Sequence, residues 1–384
     1  MINKNKTEIV PFIDEIFSGQ FPIGYPNVMQ YFGLFSREEI ENNQGKLLML
    51  DVDFGRKCSL YCPECFRRYN LVDRSFYQDL TYQELLRVID EARKLGLQMV
   101  KICGAGEPTE GPLFLQFARD LTGRGIGLAC FTKGHVLGDD GAVRKIYEAE
   151  GINTASQLCQ ELIKLKVSFM LSCRSFIPEV QDRLVGKVDG YTLKRNQALV
   201  NLVDAGFNKD IPTRLALSPN PIERVNYDEV YYIYTWARRR NMFVIPVFLM
   251  TSGRQINQKF IARNDISEQK KIDLAIRIYR FNIENGLQTL KQIEQEGVSA
   301  IVGMNPCNQI GCGLYVTANG NVVGCPGFIK VEGNVRQTSL KDIWLQSENF
   351  STRAGVFNCK CPPKDGLTIP VDFYGRVIQE LKKY

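Results

Sequence analysis

Between residues 47 and 250, short apolar runs alternate with stretches that have the periodicity of amphipathic helices. Runs of four to eight apolar or β-branched residues bounded by turn signals are typical of buried strands. Six such runs are predicted strands: LLMLDVDF (47–54), QMVKIC (98–103), IGLACFT (126–132), VSFMLS (167–172), TRLALS (213–218) and FVIPVFLM (243–250). Because strands that alternate with helices form parallel βαβ units, we predict an α/β fold, a partial (β/α)6 TIM-like barrel.

The helical stretches carry start signals of their own. Thr81 and Glu84 have the spacing of a capping box at the start of segment 81–96, which places an apolar stripe on one face. Further helices are predicted at 155–165, 192–205 and 226–240. Asn226 is expected to cap the last of these.

Charge and hydropathy argue against several classes of protein. The chain has 48 basic and 42 acidic residues, a net charge of +6 without a dense basic run, so nothing favours nucleic-acid binding. The apolar stretch IVPFIDEIF near the start is broken by Pro11, Asp14 and Glu15, and does not resemble a signal peptide. No stretch predicts a transmembrane helix. We expect a cytoplasmic protein with no nucleic-acid or membrane partner.

Twelve cysteines and a single histidine limit the chemistry that the chain can perform. In a reducing cytoplasm, cysteines favour metal binding or catalysis over disulfides. Because the chain has only one histidine, mixed Cys/His zinc sites and histidine-based catalytic triads are disfavoured. His135 is predicted to lie in a surface loop, and Lys133 beside it is assigned no role. Four isolated cysteines are predicted as buried core thiols: Cys103, Cys130, Cys159 and Cys173.

The segment CSLYCPEC (58–65) places three cysteines in eight positions directly after the first predicted strand. Thiolates bind soft metals, chiefly zinc and iron–sulfur clusters. A structural zinc ion takes four protein ligands, and no histidine is near to supply the fourth. A four-iron cluster held by three thiolates instead keeps one iron open to another ligand. The alternative is a structural zinc knuckle on an unrelated α/β fold.

Other polar segments follow the neighbouring strands. GAGEP (104–108) follows the second predicted strand, and Ser172 and Arg174 follow the fourth. The C-terminal ends of barrel strands open onto one face, where the chemistry of such barrels takes place. We therefore expect these residues to lie close to CSLYCPEC.

The CxxxCxxC pattern followed by GAGEP resembles the radical S-adenosylmethionine (SAM) superfamily. In that superfamily SAM chelates the open iron of a [4Fe–4S] cluster, and reductive cleavage releases a 5′-deoxyadenosyl radical that abstracts hydrogen from the substrate. The resemblance implies that Cys58, Cys62 and Cys65 ligate the cluster. It also implies SAM contacts from Gly104, Ala105, Gly106, Glu107, Ser172 near the ribose, and Arg195 or Arg183 at the carboxylate.

Two departures from the superfamily pattern are visible. Glu64 stands where the superfamily usually has an aromatic residue beside the adenine, so Tyr61 or Phe66 is expected to supply that packing. The glycine segment reads GAGEP where the superfamily has GGEP, one residue longer in its glycine spacing.

A second group of cysteines lies in an uncharged segment. Residues 297–329 contain no Asp, Glu, Lys or Arg, but include Cys307, Cys312 and Cys325. The stretch LYVTANGNVVGC predicts a hairpin with Asn319-Gly320 at its turn. An uncharged wrapper of this kind suits a buried cluster, because the surrounding shell excludes water and sets the reduction potential.

These cysteines and the later segment GNVRQTSLKDIW (333–344) resemble the auxiliary-cluster extension called SPASM or twitch. The resemblance implies one auxiliary [4Fe–4S] cluster, as in the shorter twitch form. Five thiols are available for four ligand positions: Cys307, Cys312, Cys325, Cys359 and Cys361. The alternative is a zinc ribbon that stabilises the C-terminal segment.

The predicted organisation has four parts. They are an N-terminal extension with a helix and the Pro/Gly loop SGQFPIGYPN (1–46), the barrel (47–255), a helical connector (256–300) and the auxiliary cluster domain (301–384).

The resemblance implies a radical SAM oxidoreductase of the dehydrogenase type, acting on a small molecule such as a sugar, aminocyclitol or nucleotide. The auxiliary cluster would assist a net oxidation, and a flavodoxin or ferredoxin would donate electrons. Cys173 is a candidate hydrogen-atom donor to a substrate radical. One alternative is a peptide-modifying enzyme that forms a cross-link or an epimer. Another is a non-catalytic iron–sulfur or zinc scaffold.

Overall fold

The computed structural model describes residues 30–67, 78–186, 188, 190–252, 257–358 and 360–384. The predicted N-terminal helix and the segment SGQFPIGYPN lie outside the described residues, and so does Cys359.

In the part of the chain that the structure describes, nine strands form one sheet. They are β1 (Met49–Val52), β2 (Met99–Ile102), β3 (Gly127–Thr132), β4 (Ser168–Ser172), β5 (Leu215–Ser218), β6 (Phe243–Val244), β7 (Gly313–Val316), β8 (Asn321–Val323) and β9 (Val331–Asn334). Their order is β6-β5-β4-β3-β2-β1-β7-β8-β9, so the sheet stays open. All pairs from β1 to β6 are parallel, which confirms the predicted partial barrel.

Helices connect these strands and cover the sheet. They are α1 (Arg37–Asn42), α2 (Tyr82–Lys94), α3 (Phe114–Gly123), α4 (Asp140–Tyr147), α5 (Ala155–Lys164), α6 (Pro178–Leu184), α7 (Tyr191–Ala205), α8 (Tyr227–Arg238), α9 (Gln258–Asn264), α10 (Glu268–Glu284), α11 (Leu290–Glu296), α12 (Gln309–Cys312), α13 (Leu340–Gln346), α14 (Glu348–Arg353) and α15 (Phe373–Lys382). Short 3-10 turns occupy Gln30–Phe32, Pro108–Glu110, Val136–Gly138 and Glu148–Glu150. Among the described residues, no helix is both long and apolar enough to cross a membrane.

The start of α2 follows the predicted pattern, whereas that of α8 does not. Thr81 and Glu84 form a reciprocal capping box, each side chain accepting from the other residue's backbone N–H. Asn226 precedes α8 but makes no capping hydrogen bond with its side chain. Its Oδ1 accepts from the Ile222 N–H (2.7 Å), and its Nδ2 donates to the Arg174 carbonyl (2.7 Å). The amide therefore fastens the loop after β4 to the start of α8.

The two faces of the sheet have different side chains because residues alternate along each strand. The outer face carries apolar residues such as Leu50 and Val100, which pack under the helices. Each fully buried side chain of this size contributes about 1.5–3 kcal/mol. On the inner face, Met49 and Met99 belong to an apolar cluster in the barrel interior. The next inward positions toward the C-terminal ends of β1 and β2 are polar, and they begin the functional cavity.

The C-terminal hairpin joins the barrel sheet directly. β7 pairs in parallel with β1, while β8 pairs antiparallel with β7. The hairpin turn includes Gly320 at φ +84°, a left-handed conformation that favours glycine. This confirms the predicted hairpin. The pairing with β1 brings the second cysteine segment to the face onto which the barrel strands open.

Candidate active site

A cavity of about 630 Å³ opens at the C-terminal ends of the parallel strands. Its lining includes residues 104–107, Ser172 and seven cysteines: Cys58, Cys62, Cys65, Cys103, Cys307, Cys325 and Cys361. Cys103, predicted as a core thiol, is buried but borders this cavity. The first cysteine loop, the glycine segment and the second cysteine group thus border the same space, although they lie far apart in sequence.

The first three thiols sit in apolar surroundings. Cys58, Cys62 and Cys65 pack in one cluster with Leu60 and Tyr191. Burial raises the pKa of Cys58 to about 12, so its thiolate is favoured only beside a positive charge such as iron. Within the described residues, no three His, Cys, Asp or Glu side chains are already arranged to hold a metal ion. The donor chemistry of this loop nevertheless fits an iron–sulfur cluster, because it offers three soft sulfur atoms in apolar surroundings.

A polar triad holds the cysteine loop. Glu110 accepts hydrogen bonds from the Ser59 N–H (3.0 Å) and from the Ser59 hydroxyl (2.6 Å). His135 Nε2 lies 2.9 Å from Glu110 Oε1 and 3.2 Å from Ser59 Oγ. Burial acts to raise the pKa of Glu110, but the bonds to His135 and Ser59 lower it to about 2. His135 does lie in a loop, as predicted, but its side chain is only 13% exposed and serves the site.

Glu107 anchors the glycine segment to the neighbouring strand. Its carboxylate accepts from the Thr109 hydroxyl (2.7 Å), the Thr132 hydroxyl (2.6 Å) and the Lys133 N–H (2.7 Å). Gly106 has φ +82°, and a Cβ there would meet the Gly55 carbonyl oxygen at 2.7 Å. The segment therefore needs a glycine at this position to pack against the loop that leads to the cysteines.

Glu64, at the position where the superfamily has an aromatic residue, forms a buried ion pair. Its Oε2 lies 2.5 Å from Nη1 of Arg174, and both side chains are about 9% exposed. Both line the cavity. This ion pair links the cysteine loop to the residues after β4.

Two residues named as site candidates lie in the core, and for Cys173 this agrees with its prediction as a buried core thiol. Arg195 is fully buried, and its guanidinium donates to the Ser175 carbonyl (3.1 Å) and to Asn196 Oδ1 (2.8 Å). Cys173 is also fully buried. Neither is among the described residues that line the cavity, and the exposed Arg183 is not among them either. Lys133 does line it, with its Nζ 3.0 Å from the hydroxyl oxygen of Ser172.

A buried ion pair in the cavity was not predicted from the sequence. Asp51 and Lys101 are register partners on β1 and β2, with Nζ 3.1 Å from Oδ1. The other carboxylate oxygen accepts from Gln309 Nε2 (2.8 Å) and from the Cys103 thiol (3.2 Å). Burial raises the pKa of Asp51, and the Lys101 ammonium opposes that effect. The sequence feature that could have predicted this pair is a charged residue at an inward position of each of two neighbouring apolar strands.

Three thiols of the second group, Cys312, Cys325 and Cys361, lie within electrostatic reach of Cys307. Burial is the main cause that raises the pKa of Cys312, Cys325 and Cys361, and Cys307 raises each further. Cys361 reaches a pKa of about 12. Cys312 is buried, with its thiol donating to the Asn308 carbonyl, and is not among the described lining residues.

Comparison with known proteins agrees with this arrangement. Residues 307–364 match the SPASM family, an iron–sulfur cluster-binding domain. Over 335 residues the chain is 32% identical to the tungsten-containing aldehyde ferredoxin oxidoreductase cofactor-modifying protein of Pyrococcus furiosus, covering 80% of this chain and 82% of the relative.

Solved structures share the fold at low sequence identity. Streptococcus suis SuiB bound to S-adenosylmethionine has a TM-score of 0.52 at 16% identity, covering 82% of this chain and 69% of SuiB. Native anSMEcpe with bound AdoMet has a TM-score of 0.54 at 13% identity, covering 88% of this chain and 96% of that structure.

Fold, cysteine motifs and relatives together define a radical SAM enzyme. The chain belongs to the radical SAM superfamily and carries a C-terminal SPASM domain. The cofactors of this class are SAM and [4Fe–4S] clusters.

Proposed function

We propose that the chain abstracts a hydrogen atom from a small molecule bound in the 630 Å³ cavity and assists its net oxidation with an auxiliary cluster. The observation that carries this proposal is the shared cavity, lined by both cysteine groups. The cavity would hold SAM as well as the substrate, and its volume is typical of ligand sites, which favours a substrate of small-molecule size.

Cofactor binding is assigned to the residues that face the cavity. Cys58, Cys62 and Cys65 would hold the first cluster, which on reduction supplies the electron that cleaves SAM. Gly104, Ala105, Gly106 and Glu107 would border the SAM amino group, and Ser172 the ribose. The auxiliary cluster would take its ligands from the second cysteine group.

Lys133 replaces Arg195 as the proposed partner of the SAM carboxylate. Its ammonium lies beside Ser172 in the cavity lining and makes no ion pair with a carboxylate of the described residues. A lysine in this position can meet an anionic group of the cofactor, whereas the guanidinium of Arg195 is already bonded in the core.

The cavity also supports a proposal for the substrate. Asp51, Lys101 and Gln309 offer both donors and acceptors, which suits a molecule with hydroxyl, amino or carbonyl groups. The name of the Pyrococcus furiosus relative describes a cofactor-modifying protein. We infer that the substrate is a small molecule of the size of a cofactor. We expect a flavodoxin or ferredoxin to supply electrons.

The deciding experiment is anaerobic reconstitution followed by metal analysis and incubation with SAM and a strong reductant. Roughly eight irons per chain and formation of 5′-deoxyadenosine support two four-iron clusters and radical chemistry. The matched control replaces Cys58, Cys62 and Cys65 by alanine, which should remove about four irons and all 5′-deoxyadenosine. Stoichiometric zinc with no iron would instead favour a structural scaffold.

A further inference from the structure

Lys364 is a buried cation next to the second cysteine group. Its side chain lines the cavity, and the residue is 3% exposed. Its Nζ donates to the Phe248 carbonyl oxygen at 2.7 Å, and it forms no ion pair with any carboxylate of the described residues. A buried ammonium is costly unless an opposite charge lies near it. The site of Lys364 therefore calls for an anion that a neutral carbonyl does not supply.

Three thiols of the second group lie where such an anion would be bound. Cys361, Cys307 and Cys325 line the same cavity as Lys364. Burial lowers the pKa of Lys364, while these three thiols and the Asp265 carboxylate raise it. Asp265 is itself paired with Lys271, whose Nζ lies 2.6 Å from Oδ2, and forms no ion pair with Lys364. A four-iron cluster bound by four thiolates carries net negative charge, and it becomes more negative when it accepts an electron. A nearby buried cation stabilises the reduced form more than the oxidised form, because the local dielectric constant is low.

We propose that Lys364 is the counter-ion of the auxiliary cluster and raises its reduction potential, which favours transfer of an electron from the substrate to that cluster. This inference rests on the proposed function, because it requires an auxiliary cluster in the second cysteine group. Lys364 acts through charge and position, and it is not itself a ligand.

The test measures the midpoint potential of the auxiliary cluster alone. In the full-length chain, Cys58, Cys62 and Cys65 are replaced by alanine, so that a titration monitored by electron paramagnetic resonance follows one cluster. Lys364→Met removes the charge and Lys364→Arg keeps it. Thr368→Val is the matched control, because the Thr368 hydroxyl donates to the Leu249 carbonyl (3.0 Å) and fastens the same loop to the same segment without a charge.

We expect Lys364→Met to lower the equilibrium constant for reduction about tenfold, a shift of about 59 mV for one electron, and Lys364→Arg and Thr368→Val to stay near the parent value. A cluster with an unchanged potential in Lys364→Met would overturn this inference and leave the proposed function intact. Absence of any cluster in the parent would overturn both. If Lys364→Met does not assemble a cluster, Lys364→Gln is titrated instead, and assembly in Lys364→Arg but in neither neutral variant supports the counter-ion role.

Discussion

His135 Nε2 lies 2.9 Å from Glu110 Oε1, so the chain's single histidine is bonded to the carboxylate that holds the first cysteine loop. Glu110 in turn accepts from both the backbone and the hydroxyl of Ser59, the residue next to Cys58. The histidine therefore positions a cluster loop through a carboxylate. It does not need to be a metal ligand to serve this site.

Glu110→Gln is expected to destabilise the cluster-free chain by about 1–3 kcal/mol at neutral pH, because buried donors lose a charged acceptor. The pKa of Glu110 is about 2 in the folded chain, below the value of about 4.3 for an unfolded glutamate. Its contribution is fully present above about pH 4.3 and is lost as the pH falls toward 2. Urea unfolding at several pH values should therefore show the difference from wild type shrinking below pH 4.3. Glu161→Gln, at an exposed pair with Lys164, is the control and should show little change.

Breaking the Glu64–Arg174 pair tests whether it holds the cysteine loop to the end of β4. Arg174→Met should cost about 1–3 kcal/mol, because it removes a charged hydrogen bond from the buried Glu64 carboxylate. The double variant with Glu64→Met should regain part of that loss. Chemical denaturation of the cluster-free chain measures both. If the losses of the two single variants simply added in the double variant, the two side chains would not be coupled. The exposed pair of Arg37 with Glu41 is the control, and breaking it should change the free energy of unfolding by less than about 1 kcal/mol.

SAM affinity should distinguish Lys133 from Arg195. Lys133→Met is expected to raise the Kd for SAM about tenfold, equal to about 1.4 kcal/mol, with little change in thermal stability. Arg195→Met should instead destabilise the fold by about 1.5–3 kcal/mol, because its charged hydrogen bonds lie in the core. Anaerobic calorimetry on the reconstituted chain gives the first quantity, and urea unfolding gives the second. Unchanged affinity in Lys133→Met would reject its contact with the SAM carboxylate.

Gly106→Ala should disrupt the glycine segment. A Cβ at this residue would meet the Gly55 carbonyl oxygen at 2.7 Å, and φ +82° is unfavourable for alanine. We expect a loss of about 1–3 kcal/mol together with weaker SAM binding. Gly123→Ala, at the end of α3 where nothing lies within 4 Å, should be neutral or slightly stabilising. Equal effects of the two substitutions on unfolding would contradict this account.

The sequence by itself determined the elements and the chemical class of the site. The positions of the barrel strands, the capping box of Thr81 and the hairpin turn at Gly320 depend on neighbours within a few residues, so local pattern was enough to predict them. The sixth strand is the exception in length, since it was predicted over 243–250 and spans only Phe243–Val244. The cysteine spacing of CSLYCPEC likewise indicates iron–sulfur binding, because all three thiols lie within one short loop.

The tertiary structure decided which side chains meet. It excluded Arg195 from the cavity, engaged the Asn226 amide in a loop contact, and joined β7 to β1. It also paired Asp51 with Lys101 across two strands. Such relationships depend on strand order and register, which place residues together that are distant in sequence. The periodicity of one strand shows that a side chain points inward, and only the packing of all strands shows what it meets there.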